Sequence, residues 1–301
     1  MLSATSRDIS EVVETLDATR WDAPPASNLR IPPVEALEDG KILYFPRLAF
    51  TLEGHERRFL SPEVADGTAK NVSFDAATGD LRHAGGDSDD HAAIAAMMRR
   101  YHDDARRFVA LLLPQYAGAL ISGRTSYRPV EIEGRPSSAR KDDTRLHIDA
   151  FPSMPMGGKR ILRVFSNVNP DGHGRHWRIG APFEDVARHF AKSVPAQMPG
   201  SALLFSALGI TKGRRTGYDH AMLNIHDTMK ADDSYQANVV QNDFDFPPGS
   251  TWIVFTDKTS HAATSGQYLF EQTFYLPIGA MASAAKSPLR ILEQAGGCPL
   301  L

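Results

Sequence analysis

Two hydrophobic periodicities divide the chain. Residues 92–113 carry Ile94, Met97, Met98, Tyr101, Phe108 and Leu112 at helical spacing, with no proline until Pro114. This predicts a helix over about 91–113, stopped by that proline, with its apolar stripe buried in a core. Asp89 or Asp90 stands where a cap is wanted. From Leu120 onward, short alternating or apolar runs are broken by glycine and proline. Residues 125–133, 144–151, 159–168, 201–206, 235–246, 250–257 and 268–277 read as strands, with Pro247-Pro248-Gly249 as a turn. Before the helix, residues 8–19 predict a short helix and Pro24, Pro25, Pro32 and Pro33 an extended segment, with a strand at 41–45. Residues 170–190 and 209–234 read as long loops, of the length that often walls or covers a site. Many short antiparallel strands predict a mainly β fold with flanking helices: a double-stranded β-helix, the cupin-like jelly roll. The expected organisation is one domain over 1–301, with 1–119 a helical and extended elaboration packed on a β-helix core at about 120–280.

Composition narrows the class. Of 301 residues, 42% are hydrophobic and 23% charged, which excludes wholesale disorder and allows a large core. A net charge of −3 gives no case for nucleic-acid binding. Cys298 is the single cysteine, so no intramolecular disulfide forms, and a reducing compartment is expected. Residues 1–20 carry acids and no apolar run, unlike a secretory signal, and no stretch reaches bilayer-spanning length. A cytoplasmic location follows as an expectation, with peripheral membrane contact left open.

The chemistry centres on residues 144–151, Thr-Arg-Leu-His-Ile-Asp-Ala-Phe. On an extended strand His147 and Asp149 share one face, while Leu146, Ile148 and Ala150 take the other. Two histidines and one carboxylate make the facial set that holds non-haem ferrous iron and leaves positions open. The third ligand has to come from elsewhere. His261 is the candidate, because the apolar run 252–255 leads into it and a strand follows. A second His-x-Asp pair, His102 and Asp104, lies on the expected helix, where residues two apart point in different directions. The four loop histidines His173, His176, His220 and His226 compete for the third place or for contact with substrate.

An iron site with three protein ligands suits a bidentate 2-oxo acid and O2 at the open positions. The distal carboxylate of such a co-substrate needs a cation, preferably an arginine. Arg163 is preferred, since it stands in the apolar strand 161–165 where an unpaired charge is costly. A structural salt bridge, for instance with Glu271, is the competing reading. Arg160 is the fallback, and Gln272 or Thr273 would assist from the last strand. The run 211–220 is locally basic, and Lys212, Arg214, Arg215 and His220 would suit an anionic substrate, as would His226. Arg175 and Trp177 would hydrogen-bond and stack on a sugar. The same ligand set also suits a non-redox zinc enzyme with Asp257 or Glu271 as base, and the fold suits a non-catalytic sugar-binding module.

Residues 144–153 and 158–170, with the matching stretches 175–183, 212–236 and 255–272, resemble the bacterial Kdo 3-hydroxylases. The likeness runs from about Tyr44 onward. Kdo is 3-deoxy-D-manno-oct-2-ulosonic acid, the acidic sugar of the lipopolysaccharide inner core. The resemblance implies a double-stranded β-helix and an Fe(II)- and 2-oxoglutarate-dependent dioxygenase with His147, Asp149 and His261 as iron ligands. It implies hydroxylation of C3 of a Kdo residue on a lipid A precursor, giving the sugar Ko with succinate and carbon dioxide, at the inner membrane surface. One departure stands out. Many 2-oxoglutarate oxygenases place an arginine ten to fourteen residues beyond the last histidine, but here residues 271–275 contain none and the next arginine is Arg290.

Overall fold

A computed structural model describes residues 6–25, 31–134, 138, 140 and 142–301. The described residues contain eleven strands: β1 (Val13–Thr15), β2 (Ile42–Phe45), β3 (Val72–Phe74), β4 (Leu81–Arg82), β5 (Ile121–Arg128), β6 (Arg160–Asn167), β7 (Arg175–Ile179), β8 (Asn242–Phe246), β9 (Thr251–Phe255), β10 (His261–Ser265) and β11 (Leu269–Leu276). The helices are α1 (Ile9–Val12), α2 (Pro33–Glu38), α3 (Ser88–Leu112), α4 (Pro114–Ala117), α5 (Phe183–Phe190), α6 (Ser201–Ala207), α7 (Gly217–Ala231), α8 (Asp233–Asn238) and α9 (Pro288–Gly296).

Eight strands form one sheet in the order β1-β2-β9-β6-β11-β5-β3-β4, and three form a second in the order β10-β7-β8. All pairings are antiparallel except β1 with β2. The two sheets make a jelly roll that does not close edge to edge. The N-terminal third does more than pack against it, because β1 to β4 are hydrogen-bonded into the large sheet at both of its ends. Part of the expected helix at 8–19 is therefore strand β1.

Every residue of β6 is buried, because both faces of the large sheet are covered. Leu162 and Val164 point outward, into a core with Phe108 and Val109 of α3. Phe165 points inward and packs on Trp252, its register partner on the neighbouring strand β9, and on Trp177 of the facing sheet, in a core that also holds Phe246. The ring of Trp252 is stacked on Phe246, with centroids 4.0 Å apart. The cap of α3 is Asp87, whose carboxylate accepts from the amides of Asp89 and Asp90, the two residues expected to cap it. A third core joins α5, α7 and α9, and Ile148 reaches into it.

Several expected strands and loops are helical instead. Residues 201–206 and the first part of 235–246 are helical (α6 and α8), and the presumed loop 209–234 contains α7. The sequence of α7 has its apolar residues at helical spacing (Tyr218, Ala221, Met222, Ile225, Met229), and a capping box of Thr216 and Asp219 starts it. Glycine and charge at 211–217 hid that signal. The segment 170–190 likewise contains β7 and α5.

Candidate functional site

Residues 143–145 form a turn and bend and 146–149 no regular strand, yet backbone hydrogen bonds tie the segment to the ends of both sheets. Ala263 donates its amide to the carbonyl of Asp143 at 2.8 Å. His147 and His261 exchange both backbone hydrogen bonds, at 3.0 and 2.8 Å. The amide of Asp149 then donates to Thr256 at 2.8 Å, just past β9. Leu146 has no strand partner, and the Gln236 side chain takes that place. Its oxygen accepts from the Leu146 amide at 2.8 Å, and its nitrogen donates to the Leu146 carbonyl at 2.9 Å.

A directly paired cross-strand couple presents its side chains on one face. The imidazoles of His147 and His261 accordingly lie side by side, with centroids 4.7 Å apart. Asp149, two residues on, shares that face, and one ligand atom from each of the three lies within 4.8 Å of the others. His147 Nε2 is 3.9 Å from Asp149 Oδ1. Glu53, His55 and Glu56 form a second group of metal-ligating type, but the first two are exposed and their partners are surface charges.

The residues fit a divalent metal. Nδ1 of His147 lies 2.8 Å from the carbonyl of Arg145, and Nδ1 of His261 lies 2.8 Å from that of Thr259. A carbonyl only accepts, so each Nδ1 carries the proton and each Nε2 presents a lone pair to the cavity. Burial, with His261 and Lys230 nearby, holds the pKa of His147 well below its ordinary value, and burial lowers that of His261 as well. Both rings are thus neutral, as ligands must be. Burial pushes the Asp149 carboxyl up, but Arg163 and the two histidines outweigh it and hold it below the usual range. Its Oδ2 lies 3.0 Å from Arg163 Nη2 and has no hydrogen-bond partner of good geometry.

Around this face lies a cavity of ≈ 340 Å³. Six basic side chains line it (Lys70, Arg128, Arg140, Arg163, Arg175 and Lys230), against the acids Asp143 and Asp149. Arg163 leaves β6 on the inner face and is pinned between Asp149 and Glu271, with Nη1 3.2 Å from Glu271 Oε1. Glu271 also holds Arg128 through Nε at 3.1 Å. Trp177 forms another wall and stacks on His261, with centroids 4.8 Å apart and planes 22° from parallel. Arg175 and His226 line the cavity too. His226 lies edge-on to His147 at 5.5 Å.

Other expected contacts fall elsewhere. Side chains alternate along a strand, so Arg160 leaves β6 on the face opposite Arg163. It is fully buried there against Phe255 and ion-paired to Asp257 at 2.6 Å. Asp257, sealed by that pair, cannot act as a base at the metal. Gln272 also faces outward from β11, bonded to Thr125 and to the carbonyl of Gly123. Thr273 is on the inner face, but its hydroxyl is engaged by Glu271 at 3.2 Å and it does not reach the cavity wall. Lys212, Arg214, Arg215 and His220 lie outside the cavity. Lys212 and Arg214 are exposed, Arg215 caps the carbonyl of Pro152 at 2.7 Å, and His220 is bonded to Pro195.

Arg128 and Lys230 were not anticipated in the sequence. Lys230 follows His226 by four residues, which on a helix places both on one side; reading 209–234 as loop concealed it. Arg290, the first arginine after His261, is paired with Glu293 on α9. Thr273 stands 273 − 261 = 12 residues beyond His261, within the interval where an arginine was wanted, and Arg163 is its register partner on β6. Arg163 therefore stands one strand to the side of that interval, at the same level of the sheet.

Comparison with known proteins agrees with this geometry. The family model for 3-deoxy-D-manno-oct-2-ulosonic acid (Kdo) hydroxylase matches residues 20–299. The chain belongs to the Kdo hydroxylase family. Solved structures of the Kdo hydroxylase KdoO, a non-haem Fe(II) and 2-oxoglutarate-dependent dioxygenase, superpose over nearly the whole molecule. The KdoO complex with 2-oxoglutarate and Fe(III) is 46% identical, with a TM-score of 0.92, covering 96% of this chain and 97% of that one. The cobalt(II) complex is 48% identical and the apo form 47%, each with a TM-score of 0.93 and the same coverage. No match was found among curated protein sequences. The chain is accordingly an Fe(II)- and 2-oxoglutarate-dependent Kdo hydroxylase that uses O2, on a jelly-roll fold.

Proposed function

We propose that this enzyme hydroxylates C3 of a Kdo residue carried on lipid A, giving Ko, and that His147, Asp149 and His261 hold its iron. The observation that carries the reading is the pair of neutral imidazoles, each with Nδ1 committed to a carbonyl, beside an ionised carboxylate at the floor of a basic cavity. When bound, ferrous iron would supply the activation of O2, of which one atom ends in succinate as 2-oxoglutarate gives two electrons and loses carbon dioxide, and the other enters the C–H bond, which gives the remaining two.

The chain's own residues position the reactants. Arg163 takes the distal carboxylate of 2-oxoglutarate; of the four contacts foreseen for the co-substrate, it alone lines the cavity. Glu271 orients its guanidinium, and Arg128 shares the Glu271 charge. Two carboxylates of 2-oxoglutarate and one of Kdo enter the same space, which accounts for six basic side chains around so small a cavity. Arg175 and His226 hold the sugar, with Lys230 and Arg128 nearby, and Trp177 packs against its ring. Holding the sugar carboxylate leaves C3 facing the metal. We place the enzyme in the cytoplasm, meeting lipid A at the inner membrane surface, because its substrate sugar is carried on a membrane lipid; no helix among the described residues is long and apolar enough to cross a membrane.

The deciding experiment is mass analysis of the lipid product after incubation with Fe(II), 2-oxoglutarate and O2. A gain of one oxygen on the Kdo residue, matched by one succinate, is expected. A gain on an acyl chain, or succinate with no modified sugar, overturns the assignment.

A further inference from the structure

Helix α6 is apolar in five of its seven residues (Ala202, Leu203, Leu204, Phe205 and Ala207), yet none of the seven is buried. Apolar side chains exposed singly are ordinary, but a cluster is not. Nine large apolar residues are exposed among the described residues, and five of them fall between 198 and 210: Met198, Leu203, Leu204, Leu208 and Ile210, each 54% to 75% exposed. Leu301 faces a cavity shared with Met198 and Leu203.

Charge singles out the same segment. Residues 186–218 run for 218 − 186 + 1 = 33 positions without one aspartate or glutamate, in a chain that is acidic overall. Over that run stand Arg188, Lys192, Lys212, Arg214 and Arg215. Lys192, Lys212 and Arg214 are exposed. An exposed apolar segment followed by bases, with no acid along the run, and with Arg214 and Arg215 beside Met198 and Leu203 in one cavity, matches the chemistry of an anionic bilayer, acyl chains beneath phosphates.

The segment is also fixed to the rim of the metal cavity. Arg215 Nη2 donates to the Pro152 carbonyl at 2.7 Å, and Pro152 lines that cavity. The Lys212 amide donates to the Ser153 carbonyl at 2.8 Å. The Arg215 guanidinium lies over Phe205 of α6, 5.8 Å from the ring centre. Asp219 at the start of α7 accepts from the amides of Met156 and Gly157, at 2.7 and 3.0 Å.

We infer that residues 198–215 are a membrane-docking element. Leu203, Leu204, Leu208 and Ile210 enter an anionic bilayer and Lys212 and Arg214 meet its phosphates, with the cavity mouth held at the surface from which the lipid-borne sugar projects. This deepens the proposed function, on which its purpose rests. The binding itself is measurable without turnover.

Sedimentation with vesicles of phosphatidylcholine, alone or mixed with phosphatidylglycerol, tests it on the full chain. Wild-type protein pellets with the anionic vesicles and is released by salt. Leu203→Gln with Leu208→Gln lowers the partition coefficient about tenfold or more, and Lys212→Gln with Arg214→Gln removes the preference for anionic lipid. The leucine variant keeps wild-type turnover of a water-soluble Kdo oligosaccharide but loses turnover of vesicle-embedded substrate. Wild-type protein that ignores anionic vesicles, or leucine variants that bind them as well as wild type, overturn the inference. So does a wild-type dimer that the leucine substitutions dissociate while vesicles never bind, since a second copy would then cover this face. Vesicle binding without Kdo turnover would leave docking standing and remove the functional reading; turnover of soluble sugar without vesicle binding would do the reverse.

Discussion

Arg163→Met separates two jobs that the geometry gives one guanidinium. Arg163 sits 3.0 Å from Asp149 and 3.2 Å from Glu271 and is buried with both. Burial lowers its pKa, and the two carboxylates outweigh that and raise it, so it is charged throughout. Coulomb's law at an effective dielectric of about 20 gives roughly 5 kcal/mol for each pair before the desolvation cost that offsets most of it. Removing one partner leaves buried carboxylates uncompensated, which costs about 3–5 kcal/mol of stability. Losing one charge-assisted contact to 2-oxoglutarate costs about 1.5–3 kcal/mol, or roughly 10- to 100-fold in its KM. Succinate release, measured at saturating iron against 2-oxoglutarate concentration, reads the second effect. Anaerobic iron titration and thermal unfolding read the first. Both are expected to move, and Arg163→Lys, which keeps the charge but not the fork, should fall between. A KM for 2-oxoglutarate unchanged at saturating iron would refute the anchoring role and leave Arg163 as a support for Asp149 alone.

Gln236→Leu removes the side chain that stands in for a strand at Leu146, leaving a buried amide and carbonyl unpaired. A loss of about 2–4 kcal/mol in urea unfolding is expected, with weaker iron binding because His147 is the next residue. Stability lost without any change in iron affinity would show that the bridge to His261 fixes the ligand unaided. Glu271 gives a pH prediction. Burial raises its pKa, but Arg128 and Arg163 outweigh burial and set it below the ordinary 4.5. The folded pKa is depressed, so its contribution is present above pH 4.5 and is lost as pH falls through the folded value. Glu271→Gln should flatten the acid limb of the stability curve below about pH 4.5; an unaltered limb would mean other carboxylates govern acid unfolding.

Legibility in the sequence followed how local each signal was. The jelly roll showed in the short runs after Leu120, and α3 in a stripe long enough to leave no doubt of its period. His147 and Asp149 were readable because a period of two places them on one face. His261 was readable because an apolar strand runs into it. Arg163 stood out as a charge inside an apolar strand, but so did Arg160. Only the alternation of β6 against its two neighbours separates the cavity face from the outer one, and that register is a long-range property. Lys230 was hidden because glycine and charge at 211–217 masked the start of α7. Arg128 has no local mark at all; its meaning comes from Glu271, 143 residues away. The strand-like reading of 201–206 failed because a short apolar run has no period to speak for helix or strand, and α6 lacks even the buried face that would have settled it.

The account stands or falls on His261 closing the metal site. Anaerobic titration of the protein with Fe(II) in the presence of 2-oxoglutarate tests this directly, followed by the visible charge-transfer absorption of the bound pair. The wild-type chain is predicted to saturate at one iron per molecule with the band present, and His261→Ala to show neither. A band that survives in His261→Ala, or never forms in the wild type, would contradict it.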